Sequence, residues 1–151
     1  MNVIGPGKIA FGKNFQIGAF MVRPIRVDHS AFDALAFVIT VGGKKIFFTG
    51  DFRSHGYTGK ALFKTLEYYV GKVDVIITEG TMLSRDEEVL SEIDFKNKAE
   101  EICDKPKYVL FLCSSTNVDS LMSMASVAKS TLKMFCVDSF QREILEVISN
   151  N

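Results

Sequence analysis

The sequence predicts an α/β fold, and three observations lead to it. The first fifty residues alternate apolar and polar positions at period two. From Lys60 the apolar residues switch to helical spacing. The last third then runs strand, helix, strand, helix. With 151 residues, 47% hydrophobic and 24% charged, there is material for one packed domain or two small ones. Thirteen Phe and no Trp point to a Phe-rich core.

Taken in order, Ile9 and Phe11 alternate, Gly12-Lys13-Asn14 marks a turn, and Phe15 and Ile17 resume the alternation. Phe20, Val22, Ile25 and Val27 form a strand in which Pro24 implies an edge position or a bulge. Leu35 to Val41 and Lys45 to Thr49 flank Gly42-Gly43, a two-residue hairpin signal. Leu62, Leu66, Tyr69 and Val70 make one helical stripe. Val73 to Thr78 reads as a short strand covered on both faces.

Ser84 with Glu87 reads as a capping box. Phe95, Ala99, Ile102 and Cys103 form the stripe of a helix ending near Lys105-Pro106. Tyr108 to Cys113 and Leu132 to Val137 read as buried strands. Val118, Leu121, Met122 and Ala125 line one helix, and Phe140, Ile144, Leu145 and Ile148 line another. A composition shift near residues 84–92 divides the chain into segments 1–85 and 86–151.

The net charge is zero, 18 basic against 18 acidic residues, with no basic stripe. Backbone electrostatics therefore lend no support to nucleic-acid binding, although a local groove can be positive on a neutral protein. Cys103, Cys113 and Cys136 lack metal-type spacing and read as small core residues in a reducing compartment. No apolar run is long enough to span a bilayer and no signal pattern opens the chain, so no membrane association and a cytoplasmic location are expected.

The chemistry-bearing stretch runs from Val27-Asp28-His29-Ser30 to Gly50-Asp51-Phe52. A loop between adjacent strand ends can bring His29 and Asp51 together. An imidazole and a carboxylate suit Zn²⁺ or Mn²⁺, and a carboxylate can bridge two metals. The bland alternative is a loop His and a turn Asp. Glu79 follows the strand Val73 to Thr78, where α/β proteins place active sites; it equally suits a loop or capping role.

Three runs, Asp28-His29-Ser30-Ala31-Phe32-Asp33, Phe48-Thr49-Gly50-Asp51-Phe52-Arg53 and Thr78-Glu79-Gly80-Thr81, resemble the metallo-β-lactamase superfamily. The likeness is to its β-CASP branch, which includes ribonuclease J. The order and interval of His29 and Asp51 are similar to a lone His and a Gly-Asp-Phe acid of that branch. The resemblance implies His29 as a terminal metal ligand, Asp51 as a bridging ligand and Glu79 as the acid that orients a catalytic His. Ser114-Ser115-Thr116-Asn117-Val118-Asp119 resembles the start of the β-CASP domain.

Physically, that last run opens a helix. Thr116 or Asn117 can cap it, and Ser115 and Asn117 could present an anion site to substrate. His55, in a Ser/Gly loop past Asp51, could reach substrate or sit in solvent. Arg53 could pair with phosphate or with a neighbouring acid. The implied architecture is the second half of an αββα sandwich followed by a β-CASP-like parallel unit.

The branch's His-x-His-x-Asp-His cluster is absent, since His29 and His55 are the only histidines. The chain is therefore expected to hold no catalytic Zn²⁺ or Mn²⁺ tightly alone. Three function classes follow: part of a metal-dependent hydrolase acting on phosphodiesters such as RNA; a non-catalytic module that pairs with a partner half or with itself; and a flavodoxin-like anion binder using Ser114 to Asn117. The third lacks a glycine-rich loop.

Overall fold

A computed structural model describes residues 9–84 and 89–150. Among these the chain forms one five-stranded sheet and four helices, a mixed α/β arrangement. Strands β1 (Phe15–Ile17), β2 (Phe20–Arg26), β3 (Leu35–Val41) and β4 (Lys44–Phe48) pair antiparallel in chain order. The β3–β4 turn is Gly42-Gly43, with φ of 56° and 75°. Positive φ at both central residues is what a type I′ hairpin requires.

Helix α1 (Gly59–Tyr69) then crosses back, and β5 (Val75–Ile77) lies parallel to β4. The remaining helices are α2 (Glu92–Asp104), α3 (Val118–Ser130) and α4 (Ser139–Ser149).

Residues paired across a ladder share a sheet face. One face carries Ile25, Val27, Ala36, Val38 and Phe47, which form the main apolar core with Leu62 and Val70 from the α1 region. Leu66, Tyr69 and Phe52 pack against it. The opposite face carries Phe20, Val22 and Pro24 of β2, Phe37 and Ile39 of β3, Ile46 and Phe48 of β4, and Val75 and Ile77 of β5. Phe20, Phe48, Val75 and Ile77 of that second face are exposed. The sheet is thus apolar on both sides, with its core on one.

A second, smaller cluster joins Ala99 and Cys103 of α2 to Met124 and Val127 of α3, with Phe95, Phe111 and Phe135 against it. Beside it lies a cavity of about 650 Å³ lined in part by Phe111, Met124, Val127 and Phe135.

Several sequence expectations are corrected here. Ile9 and Phe11 belong to no strand; Ile9 precedes a turn, and Phe11 lies in that turn and packs edge-on to Tyr69 at 5.2 Å. Strand β2 is interior in the sheet order and Pro24 is at no bulge, but at Pro24 itself the ladder towards β1 is open. Pro24 pairs in register with Phe37, and β1 ends opposite Val22, so no ladder partner needs the missing N–H. Strand β5 is not covered on both faces: Val75, Ile76 and Ile77 are all exposed at the sheet edge.

Tyr108 to Cys113 and Leu132 to Val137 are not buried strands either. Among the described residues neither has a ladder partner, and their side chains alternate between the second cluster (Phe111, Phe135) and open solvent, with Leu110 98% and Leu132 95% exposed. The buried face of α2 omits Ile102, and that of α3 runs through Leu121, Met124 and Val127 rather than Met122. No residue of α4 is fully buried. Cys136 is exposed, whereas Cys103 is in the core. Glu87 lies outside the described residues, and α2 starts later than that pair implies, capped by Ser91, whose hydroxyl accepts from the Asp94 N–H. No helix among the described residues is long and apolar enough to cross a membrane.

Candidate functional site

Strand direction brings the candidate residues to one end of the sheet. β2 and β4 both run antiparallel to β3, and β5 runs parallel to β4. The C-terminal ends of β2, β4 and β5 therefore lie on the same side. His29 follows the first, Asp51 the second and Glu79 the third. The Thr49 N–H donates to the Ile77 carbonyl at 3.0 Å, extending the β4–β5 pairing one step towards Asp51 and Glu79.

Glu79 is fixed to the Asp51 loop. Its Oε1 accepts from the Phe52 N–H at 2.7 Å. That contact first and the Thr81 hydroxyl second, with a lesser contribution from the nearby His29 ring, hold the Glu79 carboxyl below its ordinary range against the opposing effect of burial. A carboxyl depressed on folding contributes stability that is fully present above its unfolded value, about 4.3, and is lost as pH falls through the folded value. The thermal midpoint of Glu79→Gln should lie below wild type at neutral pH and converge on it in acid. A gap that does not change with pH would show that no carboxylate holds Phe52.

His29 is half-buried, and its Nδ1 accepts from the Ala31 N–H at 3.2 Å. An acceptor Nδ1 places the proton of a neutral ring on Nε2. A cation at Nε2 would need the other tautomer and the loss of the Ala31 contact. Asp51 is exposed. The donor types suit a divalent cation, but no group of three or more His, Cys, Asp or Glu side chains among the described residues is arranged to hold one. A catalytic zinc takes three protein ligands. Among the described residues, His29 and Asp51 alone fall short of that number.

The other candidates lie in loops and at helix starts. Asn117 is the N-cap of α3, accepting from the Ser120 N–H at 3.3 Å. Ser115 is half-buried between Ser114 and Thr116, whose hydroxyls pair at 3.0 Å. The Val118 N–H donates to the Ser30 carbonyl at 3.1 Å, which ties the start of α3 to the loop carrying His29. That bond and the Asn117 cap engage two of the first-turn donors that an anion would use. The His55 carbonyl accepts from the Glu92 N–H at 2.9 Å, so its loop abuts the start of α2.

Sequence reasoning missed Asp28, the most buried acid near the site at 3% exposure. Its Oδ2 accepts from the Gly56 N–H at 2.8 Å and its Oδ1 from the Thr58 hydroxyl at 3.0 Å. Its carbonyl accepts from the Arg53 N–H at 2.7 Å. Arg53, with its side chain 11% exposed, takes acids rather than being left for phosphate: Nη1 reaches Glu92 at 3.2 Å and Nη2 reaches Asp119 at 2.5 Å. Its Nε stands 3.8 Å from Asp28 Oδ1, an electrostatic contact beyond hydrogen-bond range, and is otherwise without a partner. Glu92 also accepts from the Ser120 and Ser123 hydroxyls at 3.3 and 3.4 Å, and Tyr57 and Ser123 share a hydrogen bond of 2.8 Å. The sequence signal for this cluster is faint: an acid beside the candidate His and an Arg beside the candidate Asp.

No family model matches the chain, and no curated protein matches it. Among solved structures it is similar to the crystal structure of a protein of unknown function from Enterococcus faecalis V583, with a TM-score of 0.77 and 19% identity over 94% of this chain. The chain spans 35% of that neighbour's length. At this identity the likeness is one of fold alone.

Proposed function

We propose that this chain is part of a metal-dependent hydrolase of the metallo-β-lactamase fold, in the β-CASP branch, with a phosphodiester such as RNA as the substrate of the whole enzyme. His29 and Asp51 would each contribute a donor to Zn²⁺ or Mn²⁺, and Glu79 would orient a neighbouring imidazole. The remaining donors would come from outside these 151 residues. The observation that carries this reading is the convergence of three strand ends, with Glu79 bonded to the backbone one residue past Asp51. The apolar second face of the sheet supports it, since a sandwich needs a face for its other half to cover.

The test is to add Mn²⁺ to the chain and map paramagnetic broadening of its amide signals. Broadening should centre on residues 29–31, 50–53 and 78–80, stay unsaturated at equimolar metal, and vanish in the His29→Ala, Asp51→Ala double variant. Broadening centred elsewhere would overturn the site. Tight one-to-one binding would overturn its incompleteness.

A second reading, self-association as a non-catalytic module, is favoured by the exposed apolar side chains of Tyr108, Leu110, Leu112, Leu132 and Met134. Apolar patches of this kind drive association. On this reading the chain elutes in gel filtration above its 16.8 kDa monomer mass, and a concentration-independent monomer removes it.

A further inference from the structure

The hydrolase reading makes no use of the buried Asp28–Arg53 group, yet its two members stand next to site residues in the chain. Asp28 directly precedes His29, and Arg53 lies two positions after Asp51. One backbone hydrogen bond, Arg53 N–H to the Asp28 carbonyl, therefore sets the spacing of the two loops that carry the candidate ligands. The Asp28 side chain reinforces it by holding Gly56 and Thr58 further along the second loop. Arg53 then anchors that loop to α2 through Glu92 and to α3 through Asp119.

We propose that Asp28 is a positioning residue. Acting with Arg53, it fixes the segment 50–58 against the end of β2, and so aims the Phe52 N–H on which Glu79 rests. This rests on reading His29, Asp51 and Glu79 as one site. Two donors from one loop meet its carboxylate while the Asp28 backbone carbonyl accepts from a third, so one residue ties that loop at three points. The link from Asp28 to Glu79 is indirect, passing through the backbone from Arg53 to Phe52.

The experiment is amide hydrogen exchange on wild type and Asp28→Asn without metal. Asparagine keeps one acceptor oxygen but no charge, so the hold on Gly56 and Thr58 is weakened rather than deleted; Phe52 is the informative amide, because its N–H donates to Glu79 and not to the Asp28 side chain. Exchange at Phe52 and Arg53 should quicken roughly tenfold or more relative to the β3–β4 ladder amides. If Asp28→Asn does not fold, Thr58→Val, at an exposed position, should show the same pattern more weakly. Acceleration equal at all amides, including the β3–β4 ladder, would overturn the positioning role and leave the Mn²⁺ map standing. A Mn²⁺ map that misses residues 29 and 51 would overturn the reading beneath it, whatever the exchange shows.

Discussion

Arg53→Met is expected to remove a large part of the stability of the chain, about 3–5 kcal/mol. The guanidinium lies among three carboxylates, and two of them, Asp28 and Glu92, have side chains 2% and 7% exposed. Removing the one cation leaves those acids buried without counter-charge, which costs about 3–5 kcal/mol where one partner of a buried pair is deleted. A domain of this size is stable by only about 5–15 kcal/mol. The methionine fills most of the volume of the aliphatic stem, so the loss is electrostatic rather than a cavity effect.

Arg142 provides the contrast. Its ion pair with Glu146 at 3.6 Å is two-thirds exposed on both sides and spaced i,i+4 on α4. Water and salt screen such a pair, so Arg142→Ala should shift stability by no more than about 0.5 kcal/mol. Urea unfolding followed by circular dichroism reads both. An Arg53→Met midpoint within experimental error of wild type would mean that the cluster is wet and contributes nothing to the fold.

The parts of the fold legible in the sequence are those whose determinants lie close together in the chain. Gly42-Gly43 announced the hairpin because two adjacent residues without Cβ make the turn themselves. Leu62, Leu66, Tyr69 and Val70 announced α1 because its whole buried stripe fits within three turns. Asn117 was readable as a cap for the same local reason. What failed depended on distant neighbours. Tyr108 to Cys113 has the composition of a buried strand, but burial is decided by whatever covers it, and here Leu110 and Leu112 face solvent. Ile102 and Met122 are apolar at plausible helical positions, and only the α2–α3 contact shows which side of each helix is inside.

The candidate site divides along the same line. That His29, Asp51 and Glu79 follow strand ends was readable from local pattern. That Arg53 gathers Asp28, Glu92 and Asp119 was not, because those acids are spread over ninety residues and share no periodicity.

Gly59→Ala is the sharper test of the local geometry, because two physical effects predict opposite signs. Gly59 is the first residue of α1. By helix propensity alone, alanine should stabilise there by up to about 1 kcal/mol. Space says otherwise. A Cβ at this position would stand 2.0 Å from the Ser54 carbonyl oxygen, 2.3 Å from its carbon and 2.9 Å from Asp28 Oδ2. Two of those atoms are backbone, so no rotamer change relieves the overlap, and segment 54–58 has to move away from α1. That movement separates Gly56 and Thr58 from the Asp28 carboxylate they hold. Overpacking of this kind costs about 1–3 kcal/mol or more, before the lost hydrogen bonds of a buried carboxylate are added. The clash therefore wins, and a net destabilisation of about 3 kcal/mol is expected, read as a fall in the urea midpoint. Gly71→Asn is the control. It sits in a left-handed conformation at φ 58° with open space around it, a geometry asparagine tolerates. A Gly59→Ala chain as stable as wild type would mean that the 54–59 segment does not pack against Asp28 as described, and the positioning role argued for that carboxylate would lose its basis.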